Sequence, residues 1–551
     1  MNAYGWAVRN SYFMNAAEEF LADSLRGFVA AHPGITWHRD PGFLARATPK
    51  TAGQVAIVSG GGSGHEPMHA GLIGAGMLDA ACPGLIFTSP NALQIAAATR
   101  HIDAGAGVLH IVKNYTGDVM NFRIARSIVA DDGIDTDVVL VDDDVATESD
   151  SDAPGRRGTA ATIVVEKICG AAAVDGASLA DVCALGRRVA ANARSMSVAL
   201  APCAVPGSTV PSFDLGDDEM ELGIGIHGER GTSRLPIATA DQIVGTLLER
   251  ITGSLGLTPG DEVIAVVNGL GATHSLELNL LFGNVLAGCR NRGLRVVRTL
   301  VGTMVTALDM RGASVTLVRS DAEMVRLWDA PTDAPAWPRL TSAEPAALID
   351  TSFAPPDDAA DSGTECGWLS AFVSRVQGNV DELAALDRQA GDGDFGANMM
   401  AALSHFTMPM RGPDHEVLDA LSRSYFVRAG GTSGAVFGTM FRAFAKSFAA
   451  AEDFATALAT GTSQALSEIV ALGGARVGDN TVVDALHPAN EALRAGDGLA
   501  DVAAAAEAGA ESTRQLVAHK GRASYVGEAG RGVIDPGALV VAWFYAAAAQ
   551  R

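Results

Sequence analysis

Three carboxylates stand within eight residues in Asp387-Arg388-Gln389-Ala390-Gly391-Asp392-Gly393-Asp394, two of them alternating through a glycine. Hard oxygen donors set out this way suit Mg²⁺, which keeps several waters and is commonly shared with substrate phosphates. Calcium is the rival cation, but the stretch lacks the spaced ligand series and terminal Glu of a calcium loop. Its apolar flanks, 383–386 and 395–400, argue against a plain solvated acidic loop. Downstream, Gly430-Gly431-Thr432-Ser433-Gly434 and Gly473-Gly474-Ala475 read as glycine-rich helix starts. Free backbone N–H groups at such positive helix ends suit phosphate, with ordinary capping as the alternative.

The N-terminal half carries a second set. Ser59-Gly60-Gly61-Gly62-Ser63-Gly64-His65-Glu66-Pro67 follows a β-branched run and precedes an expected helix, so its backbone can approach a hydroxylated or anionic ligand closely. It is neither a phosphate loop with Gly-Lys-Ser/Thr nor a dinucleotide G-x-G-x-x-G. His65 to His69 spells H-E-x-x-H, yet Pro67 at a first helical turn leaves His65 in the preceding loop, off the face that zinc would need. Lys113 and Asp118 follow another strand candidate, where an amine and a carboxylate can converge on polar substrate groups or simply pair at the surface. His227 lies between glycines at the end of the run 221–226, a position open to a catalytic or a structural histidine.

The elements that must hold these residues divide the chain. At 551 residues it exceeds a single hydrophobic core. Short β-branched runs at 54–58, 107–112, 138–141, 262–267, 296–301 and 314–318 alternate with helical stretches, which argues for α/β layers with functional loops at glycine-closed strand ends. The Pro-containing stretch 202–211 suggests two subdomains, about 1–190 and 191–332. From 333 to 365 prolines interleave with Ala, Asp and Glu, which reads as a solvated linker. Beyond it, 366–551 is Ala-rich with helical spacing and few strand candidates. The net charge of −23 repels nucleic acid and anionic membranes, so a small, metal-complexed substrate is expected. Six cysteines without paired spacing, no signal-peptide pattern and no apolar run of about 20 residues lead to the expectation of a soluble cytoplasmic protein.

Taken in order, these motifs resemble the single-chain dihydroxyacetone kinase family, over nearly the whole chain apart from the linker and the first dozen residues. Residues 59–67, 78–81, 112–121, 225–229, 300–302 and 307–310 resemble its substrate (K) domain. Residues 387–398, 431–434, 478–481, 521–528 and 535–537 resemble its nucleotide (L) domain, an all-helical barrel. The resemblance implies a two-subdomain α/β substrate domain followed by an all-α nucleotide domain. It implies that His227 attacks the substrate carbonyl to form a hemiaminal, while Gly62, Ser63, Gly64, His65, Lys113 and Asp118 hold the hydroxyls, with Asp118 taking a proton and His65 assisting. Asp387, Asp392 and Asp394 would hold Mg²⁺ on ATP. Phe395, Gly396, Ala397, Asn398, Thr432, Ser433, Gly474, Thr481, Asp535, Pro536 and Gly537 would bind the nucleotide. The expected function is ATP-dependent phosphorylation of dihydroxyacetone, glyceraldehyde or erythrulose by a homodimer joined through the substrate domain. The alternative is a sugar-binding regulatory protein without phosphoryl transfer. Departures from the family pattern are Phe395, Arg230, the segment 528–534 and Asn91-Ala92-Leu93-Gln94.

Overall fold

The computed structural model describes residues 12–148, 155–208, 210–338, 363–391, 393–520, 524 and 527–551. The chain forms two compact units, Met1–Leu348 and Ile349–Arg551.

The first unit is built on two six-stranded sheets. One contains β1 (Ile35–His38), β2 (Phe43–Arg46), β3 (Ala56–Ser63), β4 (Ala80–Ile86), β5 (Val108–Lys113) and β6 (Thr136–Val141), in the spatial order β1-β2-β4-β3-β5-β6. Its strands from β4 through β3 and β5 to β6 are mutually parallel, so their C-terminal ends lie on one edge, where the chain turns into loops. The other contains β7 (Ala193–Ala201), β8 (Glu219–Leu222), β9 (Ser233–Pro236), β10 (Glu262–Gly269), β11 (Arg295–Gly302) and β12 (Arg311–Arg319), in the order β11-β10-β12-β7-β8-β9. All six β-branched runs noted in the sequence are strands here. Most of those strands are buried on both faces, so they read as continuous apolar runs; short or polar partners such as β1, β8 and β9 carry no such signal.

Two local expectations change. The glycine-rich stretch is not a loop after β3 but its C-terminal half, in parallel register with β4 through Gly60↔Cys82 and Gly61↔Pro83. Glycine is required because neighbours cross that surface closely: a Cβ on Gly60 would lie 2.7 Å from the Cys82 carbonyl oxygen, and one on Gly61 would overlap the Lys113 Nζ. After it, residues 65–69 form turns followed by a single 3₁₀ turn, Ala70–Leu72, rather than an α-helix.

Residues 331–338, most of which read as linker, pack on the first unit. Ala334 is buried, the Ala336 N–H donates to Gly71 O at 2.9 Å, and the Trp337 ring meets Trp328 edge-on at 5.0 Å. Their prolines remove helical and strand periodicity without removing apolar contacts, which is why sequence pattern alone assigns them to solvent. The central linker, 339–362, lies outside the described residues.

The second unit is helical. Its last helix, Pro536–Ala548, buries 11 of its 13 residues. Around its Phe544 the rings of Trp368, Phe372, Phe441 and Phe444 gather at 4.8–5.9 Å. An apolar run on all faces is thus a central core helix. All six cysteines are buried and unpaired. No helix among the described residues is long and apolar enough to cross a membrane.

Candidate functional site

In the first unit the side chains named from sequence converge. His227 sits in the tight turn after β8, closed by Gly225 N–H to Glu229 O at 3.1 Å. Both Glu229 carboxylate oxygens hold it: one accepts from the His227 backbone N–H at 3.0 Å and the other from ring Nδ1 at 2.9 Å. Nδ1 is therefore the protonated nitrogen, and Nε2 carries the lone pair. Burial opposes the Glu229 charge. The hydrogen bond from His227, a backbone N–H and the Arg157 charge outweigh that, and hold its carboxyl down at about 2. Three rings fence the imidazole: Tyr115 at 4.6 Å, His65 at 4.7 Å and Phe87 at 5.5 Å, all nearly edge-on.

His65 is fully buried. Its Nδ1 lies 2.8 Å from Thr306 O, a carbonyl that can only accept, so Nδ1 donates and Nε2 is an acceptor. That Nε2 has no partner. Burial above all, with the Lys113 charge adding to it, pushes its pKa well below the usual histidine value, which keeps the ring neutral. Asp118, in the first turn of the helix Thr116–Ala130, is 2% exposed, and its Oδ1 is also without a partner. The Tyr115 hydroxyl is the third orphan. Buried polar atoms are nearly always paired, so unpaired atoms such as these are available to hydrogen-bond a ligand.

Lys113, at the end of β5, is fully buried and donates to Gly60 O at 3.1 Å and to His69 Nε2 at 2.7 Å. Gly62 lies where a Cβ would sit 2.7 Å from the Phe87–Thr88 backbone, and Gly64 adopts φ +103° with its N–H on Glu66 at 2.8 Å. The Ser63 hydroxyl donates to Gly84 O at 2.7 Å, which leaves its oxygen free to act only as an acceptor. Arg230 is exposed.

The second unit contains a cavity of about 680 Å³, within the usual range for a cofactor site. Asp387, Asp394, Phe395, Asn398, Thr432, Ser433, Thr481, Asp535, Pro536 and Gly537 line it. Asp387, in the last turn of the helix Val380–Ala390, accepts the Phe395 N–H at 3.0 Å, and Asp394 accepts from the Asn398 amide at 3.0 Å. The helix Gly431–Ala450 starts here with Gly430 as N-cap and no side-chain cap, leaving its first N–H groups to a ligand. Val436, Phe437, Ile469 and Leu472 form the apolar wall, where Phe395 adds its ring.

Three expected nucleotide contacts do not themselves line the cavity. Gly396 is buried against the preceding helix, where a Cβ would meet Val380 O at 2.8 Å; Ala397 is exposed; and Gly474 ends the helix Phe454–Gly473 as its left-handed cap rather than starting one, although its neighbours Gly473 and Ala475 do line the cavity. Asp392 lies outside the described residues, and among those described no group of three or more His, Cys, Asp or Glu is arranged to hold a metal. Two further lining residues, Asn480 and Lys520, carried no sequence signal because they are isolated polar residues in loops.

The donor set nevertheless fits a magnesium nucleotide. Burial lifts the Asp535 carboxyl to about 7, with the Asp484 and Asp387 charges adding to it. A cavity lined by the hard carboxylate oxygens of Asp387 and Asp394, with Asp535 beside them in the lining, suits a divalent cation.

The Dak1 domain family matches residues 26–336, and the DAK2 domain family residues 389–550. The chain is 37% identical over 560 residues to the human triokinase/FMN cyclase, covering 96% of this chain and 97% of that one. It is 35% identical over 567 residues to the L-erythrulose 1-kinase of Mycolicibacterium smegmatis, covering 96% and 97%. Among solved structures it resembles the dihydroxyacetone kinase of C. freundii in complex with AMP-PNP and Mg²⁺, at a TM-score of 0.65 and 29% identity over 98% of this chain and 99% of that one.

Proposed function

The chain belongs to the dihydroxyacetone kinase family and is an ATP-dependent kinase of small sugars that uses Mg²⁺, and from that premise we propose that it phosphorylates the terminal hydroxyl of a short ketose or aldose held as a covalent hemiaminal on His227. One observation carries the finer reading: Glu229 occupies Nδ1 of His227, which leaves Nε2 as the nucleophile in a neighbourhood that also holds the orphaned acceptors His65 Nε2 and Asp118 Oδ1. Attack forms the C–N bond and moves the carbonyl π pair onto oxygen; that oxygen takes up a proton, and Nδ1 gives its own proton to the Glu229 carboxylate, so that hemiaminal and ring both end neutral. Glycerol has no carbonyl and cannot be captured. Lys113 donates to a sugar hydroxyl, neutral His65 accepts from one, and Asp118 takes the proton of the hydroxyl that attacks the γ-phosphate.

In the nucleotide domain Asp387, Asp392 and Asp394 would hold Mg²⁺, which would lower the charge repulsion between the ATP phosphates and the incoming oxygen. The N–H groups at Gly431–Ser433 bind phosphate oxygens, and Phe395 with the apolar wall receives the base. Dihydroxyacetone, glyceraldehyde and erythrulose are the proposed substrates, the domain limits are 1–338 and 363–551, and a homodimer through the substrate domain is part of the same proposal. The sensor alternative is not favoured, because a sugar sensor has no use for a second, nucleotide-shaped domain. A coupled ADP-release assay across dihydroxyacetone, glyceraldehyde, D- and L-erythrulose and glycerol tests this reading. Turnover with the carbonyl sugars and little with glycerol is expected; no turnover with any of them overturns it.

A further inference from the structure

The helix Ala161–Val174 is buried from its first residue to Ala173, yet it carries two charged residues in sequence, Glu166 and Lys167. Lys167 serves the fold, since its Nζ donates to Leu327 O at 2.8 Å, at the end of the helix Ala322–Asp329. Glu166 ties no such element in place. It is 0% exposed, its Oε1 lies 2.5 Å from His69 Nδ1, and its Oε2 has no partner. Burying a carboxyl group in an apolar helix is costly, and a leucine there would pack without that penalty. Something other than packing accounts for it.

The hydrogen-bond chain supplies the reason. An ammonium has three donors and no acceptor. Lys113 reaches His69 at 2.7 Å, so His69 Nε2 must be the acceptor. The ring proton must then sit on Nδ1, and Nδ1 can hold that proton in a buried site only if an acceptor faces it. Glu166 Oε1 is that acceptor. Without it, the ring is free to place its proton on Nε2 and present a donor to a donor. With it, two Lys113 N–H bonds are fixed on Gly60 O and His69 Nε2, and the third has one direction left. Burial pushes the Lys113 pKa down, and the nearby Asp118 and Glu166 act in the other direction.

We propose that Glu166, acting through His69, is a positioning residue for sugar phosphorylation: it fixes the tautomer of His69 and thereby the direction in which Lys113 offers its remaining N–H to the substrate. This rests on the reading that Lys113 binds the sugar. The wider logic is that of a histidine whose second nitrogen is oriented by an outer carboxyl group.

The test uses the full chain and four proteins: wild type, Glu166→Leu, Glu166→Gln and Lys113→Met. Glu166→Leu is expected to lower kcat/KM for dihydroxyacetone about tenfold or more, the loss of one hydrogen bond to a charged group, while KM for ATP stays unchanged. Glu166→Gln, whose amide oxygen still accepts from Nδ1, is expected to recover most of that loss. Wild-type kcat/KM in Glu166→Leu, with Lys113→Met inactive, overturns the inference. Wild-type kcat/KM in Lys113→Met overturns instead the reading of Lys113. Should Glu166→Leu fail to fold, ¹⁵N-histidine NMR of the wild type decides: an Nδ1–H tautomer at His69 supports the proposal, and an Nε2–H tautomer overturns it.

Discussion

Burial lifts the Glu166 carboxyl to about 8, although the Lys113 charge pulls it the other way. An unfolded glutamate titrates near 4.3, so the folded state binds this proton more tightly than the unfolded state. The stabilising contribution is therefore present while the group is protonated and is lost as pH rises from about 4.3 through about 8. Glu166→Gln cannot ionise. Its melting temperature relative to wild type should climb between about pH 5 and about pH 8 and level off above that, measured by calorimetry at matched ionic strength. A difference that is flat with pH would mean that Glu166 is charged in the folded protein throughout. At this scale the sequence shows the partner chemistry unevenly. His69 is visible as the second histidine of H-E-x-x-H, but its role is not, because that motif evokes zinc. Glu166 is an ionisable residue inside an apolar run, which signals a buried polar role that no local motif names.

The strand β3 shows why the glycine run cannot be read as a loop. Its three successive glycines each face something that leaves no room for a Cβ: the Cys82 carbonyl, the Lys113 ammonium and the Phe87–Thr88 backbone. Of these, only the Lys113 contact reaches a side chain proposed to hold the sugar. Gly61→Ala should thus displace the ammonium and raise KM for dihydroxyacetone by about tenfold or more, again the scale of one hydrogen bond to a charge, with ATP binding to the nucleotide domain unaffected. Gly27→Ala is the control. Gly27 lies within the helix Phe20–Ala31 with nothing near its Cβ position, so that change should add up to about 1 kcal/mol of stability and leave kinetics alone. Equal effects of the two substitutions would contradict the assignment of the Gly61 contact. The element boundaries follow the same lesson. Apolar β-branched runs announce buried strands, and the helical texture of the second unit announces its helices, because periodicity reports burial. Gly60 to Gly62 have no side chains to be periodic, so their strand is set by the neighbours that close over them.

At the scale of the molecule, the two-unit organisation is legible as a change of texture near residue 333, but the first unit keeps the chain through Trp337. Fragments 1–338 and 363–551 should each fold, and mixing them at high concentration should restore part of the activity, since joining them chiefly raises their effective concentration. A 1–332 fragment, which lacks Ala334 and Trp337, should melt below 1–338 in a thermal scan; equal melting would return those residues to the linker. Which residues surround the cavity of the second unit is legible where glycines and acids cluster, and is hidden at Asn480 and Lys520, which reach it from separate loops. The claim on which function turns is covalent capture, the one step that makes a kinase of these domains choose a carbonyl sugar over glycerol. It is tested most directly by the ratio of kcat/KM for dihydroxyacetone to that for glycerol, in wild type and in His227→Ala, with reductive trapping and intact-mass spectrometry on the same samples. Covalent capture predicts a trapped adduct in wild type only and a ratio that collapses in His227→Ala. An unchanged ratio with uniformly lower rates would contradict it and leave His227 a structural or proton-transferring residue.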